Sequence, residues 1–399
     1  MSEGRWQRLV GFGAVLLAAG GLAAAGGPLA GASAPAGTLQ VGCGSSYTTI
    51  GAAVKAAAAG DTVQVCSGTY TEDVAVTKPL TIVGSGAVVD AANLDNGFTV
   101  SASGVTIQGF TVEHAVGEGI LVAPTKGGPA VTGVSILDNT VTGNDQGNPT
   151  GAPITTSSYA ACNATENVPG DCGEGIHLES VTGSTVSGNT VTGNSGGILL
   201  TDELGPVSGN LVQSNTVSDN VLDCGVTLAG HSPGAVGGVF DNRVVGNQIT
   251  GNGTKGQGAG VVLATGVPSG PYGAGGAVYD NVVSGNTISG NGLAGVTIHG
   301  HATGENLSGN VVEGNQIGTN NLAGDPDFTS FGGDYLAGST TGVLVASLSP
   351  LTVTIEGNTI SSDAVAVWLG SVNGAGIIVS GLATNAFPNS GVPEMAVTS

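Results

Sequence analysis

The feature that most limits how this chain can fold is a six-residue phrase that opens and closes on asparagine. It occurs as Asn139-TVTG-Asn144, Asn189-TVTG-Asn194, Asn215-TVSD-Asn220, Asn247-QITG-Asn252, Asn286-TISG-Asn291 and Asn315-QIGT-Asn320, and Asn358-TISS-Asp363 departs only at its last position. Each phrase leads, after a variable gap, into a second one: GIHLES from Gly175, GILLTDE from Gly197, GVTLAGH from Gly225, GVVLATG from Gly260, GVTIHGH from Gly295, GVLVAS from Gly342 and AVWLGS from Ala366. Apolar residues alternate at period two and Asn or Gly punctuates the ends, the pattern of short strands joined by tight turns. One such strand cannot bury its apolar face alone. With Gly175 and Gly197 22 residues apart, successive copies are expected to stack as coils whose equivalent strands become parallel neighbours about 4.8 Å apart. The branched aliphatics Ile176, Ile198, Val226, Val261, Val296 and Val343 then fill the inner face. The asparagines are expected to adopt the left-handed turn conformation and to bond from coil to coil, a structural rather than a chemical role.

Composition narrows the partners. Glycine accounts for 73 of 399 residues without settling at every third position, which excludes a collagen helix. Only 7 Lys+Arg stand against 28 Asp+Glu, a net charge of −21, so the basic surface a duplex nucleic acid needs is missing. Residues 1–36 place Arg5 and Arg8 ahead of a small-residue apolar run with A-x-A sites, which reads as a cleaved secretory signal. No later segment is suited to cross a membrane, and a secreted, extracellular location follows, with cell-wall association open to it. Export makes Cys43 with Cys66, and Cys162 with Cys172, candidate disulfides and leaves Cys224 as a buried thiol.

The stretch YTTIGAAVKAAAAGDTVQVCSGTYTEDVAVTKPLTIVGSG from Tyr47 resembles the opening of right-handed parallel β-helix proteins of the pectate-lyase-like superfamily, and the repeats extend the resemblance over nearly all of the chain from about residue 43. It implies an all-β fold, a right-handed parallel β-helix (solenoid) of roughly ten coils. A short helix at about 48 to 59 would cap its first coil. The layout is then a signal over 1–36, an N-terminal cap over 37–60, and the β-helix with loop insertions over 61–399. The fold by itself names no reaction.

Candidate chemistry comes from two places. The longest insertions carry aromatics suited to stacking on sugars: Tyr159 in 145–173, Tyr272 in 264–279, and Phe328, Phe331 and Tyr335 in 318–341. The outward positions of the GIxL strands and their edge carry His177, Glu179, Asp202, Glu203 and His231. Glu203 and His231 fall in one column of adjacent coils, about 5 Å apart by strand spacing. Such acids and histidines suit acid/base work on a polysaccharide, with Glu179, Asp202 and Glu203 as acid, base or nucleophile and His177 and His231 assisting. His299, His301, Trp368 and Tyr159 are the expected substrate-binding residues. Arginine-dependent mechanisms of the superfamily do not fit, because Arg243 lies in the column of Thr185 and Leu211, away from this stripe. The expected function is a secreted carbohydrate-active or carbohydrate-binding protein that acts on a neutral glycan, since the acidic surface repels polyanions. The alternative is a non-catalytic extracellular or cell-wall β-helix. No cofactor or metal site is assigned, calcium among Asp325, Asp327 and Asp334 being less expected than a polar loop.

Overall fold

The computed structural model describes residues 36–92, 94–144, 173–231, 237–255, 258–266, 275–324, 338–371 and 375–398. The expected signal segment, Tyr159, Tyr272, Cys162, Cys172, Phe328, Phe331, Tyr335 and the three aspartates 325, 327 and 334 lie outside them.

The strands pair in parallel and stack into three sheets. The GIxL phrases form one of eleven strands, from Val74–Val76 to Val392–Thr398. A second sheet takes two short strands from each repeat, such as Thr185–Ser187 and Thr190–Thr192, with an Asn at the bend between them. The third has five two-residue strands, among them Val181–Thr182 and Val207–Ser208. Register is strict: Ile176, Ile198, Val226, Val261, Val296 and Val343 are successive Cα partners. All six are buried in one continuous hydrophobic core. The chain is therefore a parallel β-helix, as the repeats require.

Three asparagine ladders hold the coils in register, where the six-residue phrase predicts two. The first runs Asn139, Asn189, Asn215, Asn247, Asn286, Asn315, Asn358, Asn385, each amide Nδ2 donating to the next Oδ1 at 2.8–3.0 Å. The second runs from Asn144 to Asn320 and ends on Asp363. The third, Asn210, Asn242, Asn281 and Asn310, stands five residues before the first ladder and is entered from Ser184. In each rung that joins two asparagines the backbone N–H donates to the same Oδ1, and Nδ2 gives its other hydrogen to a carbonyl of the preceding coil, as Asn215 does to Val186 at 3.0 Å. Every donor and acceptor of these buried amides is thereby used.

The asparagines do not themselves take the left-handed conformation expected of them. That falls to the residue before each: Gly188 (φ 71°), Gly193 (φ 68°), Ser214 (φ 54°) and Asp219 (φ 56°) precede Asn189, Asn194, Asn215 and Asn220. The preceding residue turns the chain, and the asparagine, freed from turning, aims its amide along the helix axis. The glycine that begins each GIxL strand serves a different need. A Cβ on Gly197 would sit 2.1 Å from the Gly225 carbonyl oxygen and 2.5 Å from Val217 Cγ1.

The helix spans Ile50–Ala56, shorter than the sequence suggests, and buries Ile50, Ala53 and Val54 in the common core. Its orphan amides are met by Thr49 at the N-cap and by Glu72 of the GTYTE motif, which accepts from Ile50 and Gly51 at 2.7 and 2.8 Å. At the other end Lys78 donates to the Lys55 and Ala57 carbonyls. Cys43 and Cys66 form a disulfide. Among the described residues no helix is long and apolar enough to cross a membrane.

Candidate functional site

The solenoid places the expected residues by register. His177, Leu199, Thr227, Val262, Thr297, Leu344 and Trp368 form one outward column of the GIxL sheet, and Glu179, Thr201, Ala229, Ala264, His299, Ala346 and Gly370 the other. Most of both columns is covered instead of facing solvent: Leu199, Leu344 and Trp368 are 2 %, 1 % and 0 % exposed, and only Thr227, Val262 and Ala264 are part-buried. A track open along the whole sheet, on which a glycan was expected to lie, is therefore not its geometry. Trp368 packs with Ala294, Leu344, Ala346 and Val365 in a second apolar cluster, so it presents no stacking face to a sugar.

Within the covered sheet a chain of polar groups crosses four repeats. His177 is fully buried, its Nδ1 3.8 Å from Glu118 Oε1 and its Nε2 2.8 Å from Thr201 Oγ1. Thr201 also supports the Glu203 carboxylate. Glu203 Oε1 then meets His231 Nδ1 at 2.5 Å, with the two side chains only 3 % and 9 % exposed. Burial alone would push the Glu203 carboxyl up. The His231 bond, the charges of His231 and His177, and Thr201 outweigh it and hold Glu203 below its ordinary 4.5. An ionised carboxylate only accepts, so His231 Nδ1 carries the hydrogen and, in the neutral ring, Nε2 is the basic nitrogen.

Asp202 has another task. Its Oδ1 takes the His231 amide at 2.6 Å and its Oδ2 the Gly238 amide at 2.5 Å, tying together the two ends of the segment between them. Both Asp202 oxygens thus accept backbone amides, which fixes the His231 backbone. Glu179 is buried, one coil before Thr201 in its column.

Beyond His231 the edge column continues through Gly266 to His301. Gly266 donates to the Gly230 carbonyl in continuation of the ladder, and a Cβ built on it would lie 3.9 Å from His231 Cδ2. Gly266 brings no side chain to this column, so His231 and His301 stand two strand spacings, about 10 Å, apart in register with only a glycine between them. His301 is half-buried and its Nδ1 donates to the Thr265 carbonyl at 2.5 Å. His299 lies under it, ring centroids 4.1 Å apart, and burial first, then the His301 charge, push its imidazole well below the usual value. His299 is thus neutral and buried, with His301 the member of the pair nearer the surface. Glu305, which sequence reasoning missed, accepts from Thr265 Oγ1 at 2.6 Å and Ala302 N at 2.8 Å. Glu118 was missed too. Cys224 is a buried thiol, pushed up by burial and by Asp223, with none of the character of a nucleophile.

Among the described residues the one group of His and carboxylates with metal-ligand spacing lies on the other sheet, at Asp90, Glu113 and His114.

Comparison with known proteins agrees with this architecture. Residues 96–268 match a family model described as a right handed beta helix region. No curated protein sequence matches the chain. Among solved structures, the A-module of a mannuronan C-5 epimerase from Azotobacter vinelandii is similar at 17 % identity and a TM-score of 0.46, over 88 % of this chain and 94 % of that one. An alginate lyase from Paenibacillus sp. is similar at 13 % identity and a TM-score of 0.42, over 89 % and 99 %. Pectate lyase Pel9A is similar at 15 % identity and a TM-score of 0.43, over 87 % and 78 %. At these values the likeness is one of fold.

Proposed function

We propose that this right-handed parallel β-helix protein is an exported, carbohydrate-active protein in which His231, oriented by Glu203, is the proton-transfer group at the sheet edge beside Gly266. The observation that carries the reading is the 2.5 Å contact between Glu203 Oε1 and His231 Nδ1. A carboxylate that fixes one imidazole nitrogen as donor leaves the other as general base, and it stabilises the imidazolium once a proton has been taken. Asp202 holds the His231 backbone, and Thr201 links the pair to His177 and Glu118. A neutral glycan is the preferred substrate, because a net charge of −21 and the acids Glu118, Glu179, Glu203 and Glu305 around the site repel a polyanion. Glu179 is the remaining carboxyl for an acid partner. The Cys43–Cys66 disulfide supports export, since such bonds persist in oxidising compartments.

The test is to incubate the purified protein with neutral and acidic glycans and to assay both new reducing ends and unsaturated products. Turnover of a neutral glycan is expected, abolished in His231→Ala and lowered about 100-fold or more in Glu203→Gln. Turnover unchanged in His231→Ala would sink the assignment. The second reading, a non-catalytic extracellular or cell-wall rod, is favoured by the burial of most outward positions of the GIxL sheet. It predicts no turnover with any glycan.

A further inference from the structure

The outer face of the two-strand sheet carries a column that is almost entirely hydroxyl: Thr142, Thr192, Ser218, Thr250 and Ser289 are successive partners in register. Its first two members break the rule. Asp90 pairs with Glu113, and Glu113 with Thr142, so two carboxylates stack one strand spacing apart. Like charges directly opposite one another destabilise a sheet unless a cation lies between them. The next residue, His114, supplies an imidazole. Its Nδ1 lies 3.0 Å from Asp90 Oδ1 and 4.0 Å from Glu113 Oε1, and the three ligand atoms all fall within 4.8 Å of one another.

We propose that Asp90, Glu113 and His114 form a binding site for a divalent transition-metal ion that ties two coils together. Donors bound at about 2.1 Å around one ion stand about 3–4 Å from each other, the separations His114 Nδ1 makes with the two carboxylates. One nitrogen and two carboxylate oxygens suit zinc, manganese or ferrous iron, whereas calcium prefers an all-oxygen shell of six to eight ligands. The side chains are 27 % exposed at each acid and 44 % at the histidine, which leaves an open side for entry and for water to complete the coordination. His114 Nδ1 is within ion-pair distance of both acids, so a protonated histidine bridging them without metal is the rival reading that the titration tests. The histidine also occupies a left-handed turn position (φ 64°) that later coils give to Gly143, Gly193, Gly251 and Gly290, and once to Asp219 (φ 56°). Any side chain there carries a conformational cost that glycine avoids.

The test uses the full chain, stripped with chelator and desalted, titrated calorimetrically with Zn²⁺, Mn²⁺ and Ca²⁺ in turn, with melting curves in parallel. One Zn²⁺ per chain is expected, bound at micromolar concentration and raising the melting temperature, with Ca²⁺ at least tenfold weaker. His114→Gly, which relieves the turn and therefore folds, is expected to weaken Zn²⁺ binding tenfold or more and to remove the metal-dependent rise in melting temperature. Asp90→Asn and Glu113→Gln should each do the same. The proposal is overturned if Zn²⁺ binds no tighter than about 1 mM, if His114→Gly retains wild-type affinity, or if Ca²⁺ is preferred.

Discussion

Asp363 stands where every earlier rung of its ladder carries asparagine, and replacing it with asparagine should stabilise the protein in a pH-dependent way. Its Oδ1 accepts the Asn320 amide at 3.0 Å, while Oδ2 is buried with no partner. The residue is 2 % exposed. Burial pushes its carboxyl from 3.8 to about 7, the Asn320 bond pulling the other way. The folded state thus holds the proton more tightly than the unfolded one. The penalty of the charge is absent below the unfolded value, grows as pH rises from about 4 to about 7, and is complete above that. Three units at about 1.4 kcal/mol each set it at up to about 4 kcal/mol. An asparagine carries no such charge and offers Nδ2 to a carbonyl of the preceding coil, as Asn358 does to Val312 at 2.9 Å. Because coils of a solenoid open locally, the assay is hydrogen exchange at the Asn320 amide in wild type and Asp363→Asn, compared at the same pH. Protection in the variant should exceed wild type up to about 1000-fold at pH 8 and converge with it near pH 4.5. An advantage of the same size at both pH values, or a variant less protected at pH 8, would refute the reasoning.

Other consequences follow from the same geometry. Gly225→Ala places a Cβ 2.5 Å from Ile249 Cγ2 and 2.7 Å from the Gly260 oxygen. It should cost about 3 kcal/mol in denaturant unfolding. Gly246→Ala has open space around a φ of 65° and should cost only about 1–2 kcal/mol, so equal effects would contradict the steric account. Reducing the Cys43–Cys66 disulfide, which spans 23 residues, should remove about 3 kcal/mol from the N-terminal coils. Glu203 is held below its ordinary 4.5, so its ionised form contributes stability at neutral pH that is lost as pH falls through the lowered value. Acid unfolding of wild type should therefore show a loss as pH falls below 4.5 that Glu203→Gln lacks.

What the sequence made legible follows from which interactions have a period. The coil repeat placed Glu203 and His231 in one column, and they meet there, because parallel register transmits sequence spacing directly into space. The third ladder was visible in the same way but starts one step earlier. Asn210-LVQS-Asn215 and Asn281-VVSG-Asn286 repeat a five-residue step that the six-residue phrase hides. Glu118 has a periodic counterpart in Glu174, both in a Gly-Glu-Gly-Ile phrase, but only the folded chain shows Glu118 beside His177 and Glu305 beside Thr265. The covered outer columns had a signal that alternation obscured. Segments such as GVLVA and VAVWL are apolar at nearly every position, which is how a parallel strand buried on both faces reads. Read that way, His177, Thr201 and His299 are no longer polar residues on a wetted face. They are buried polar groups in a closed one, where each must be hydrogen-bonded or lose several kcal/mol. The weight of the functional case therefore shifts from the stripe as a whole to the place where that polar network reaches an edge, at His231 beside Gly266.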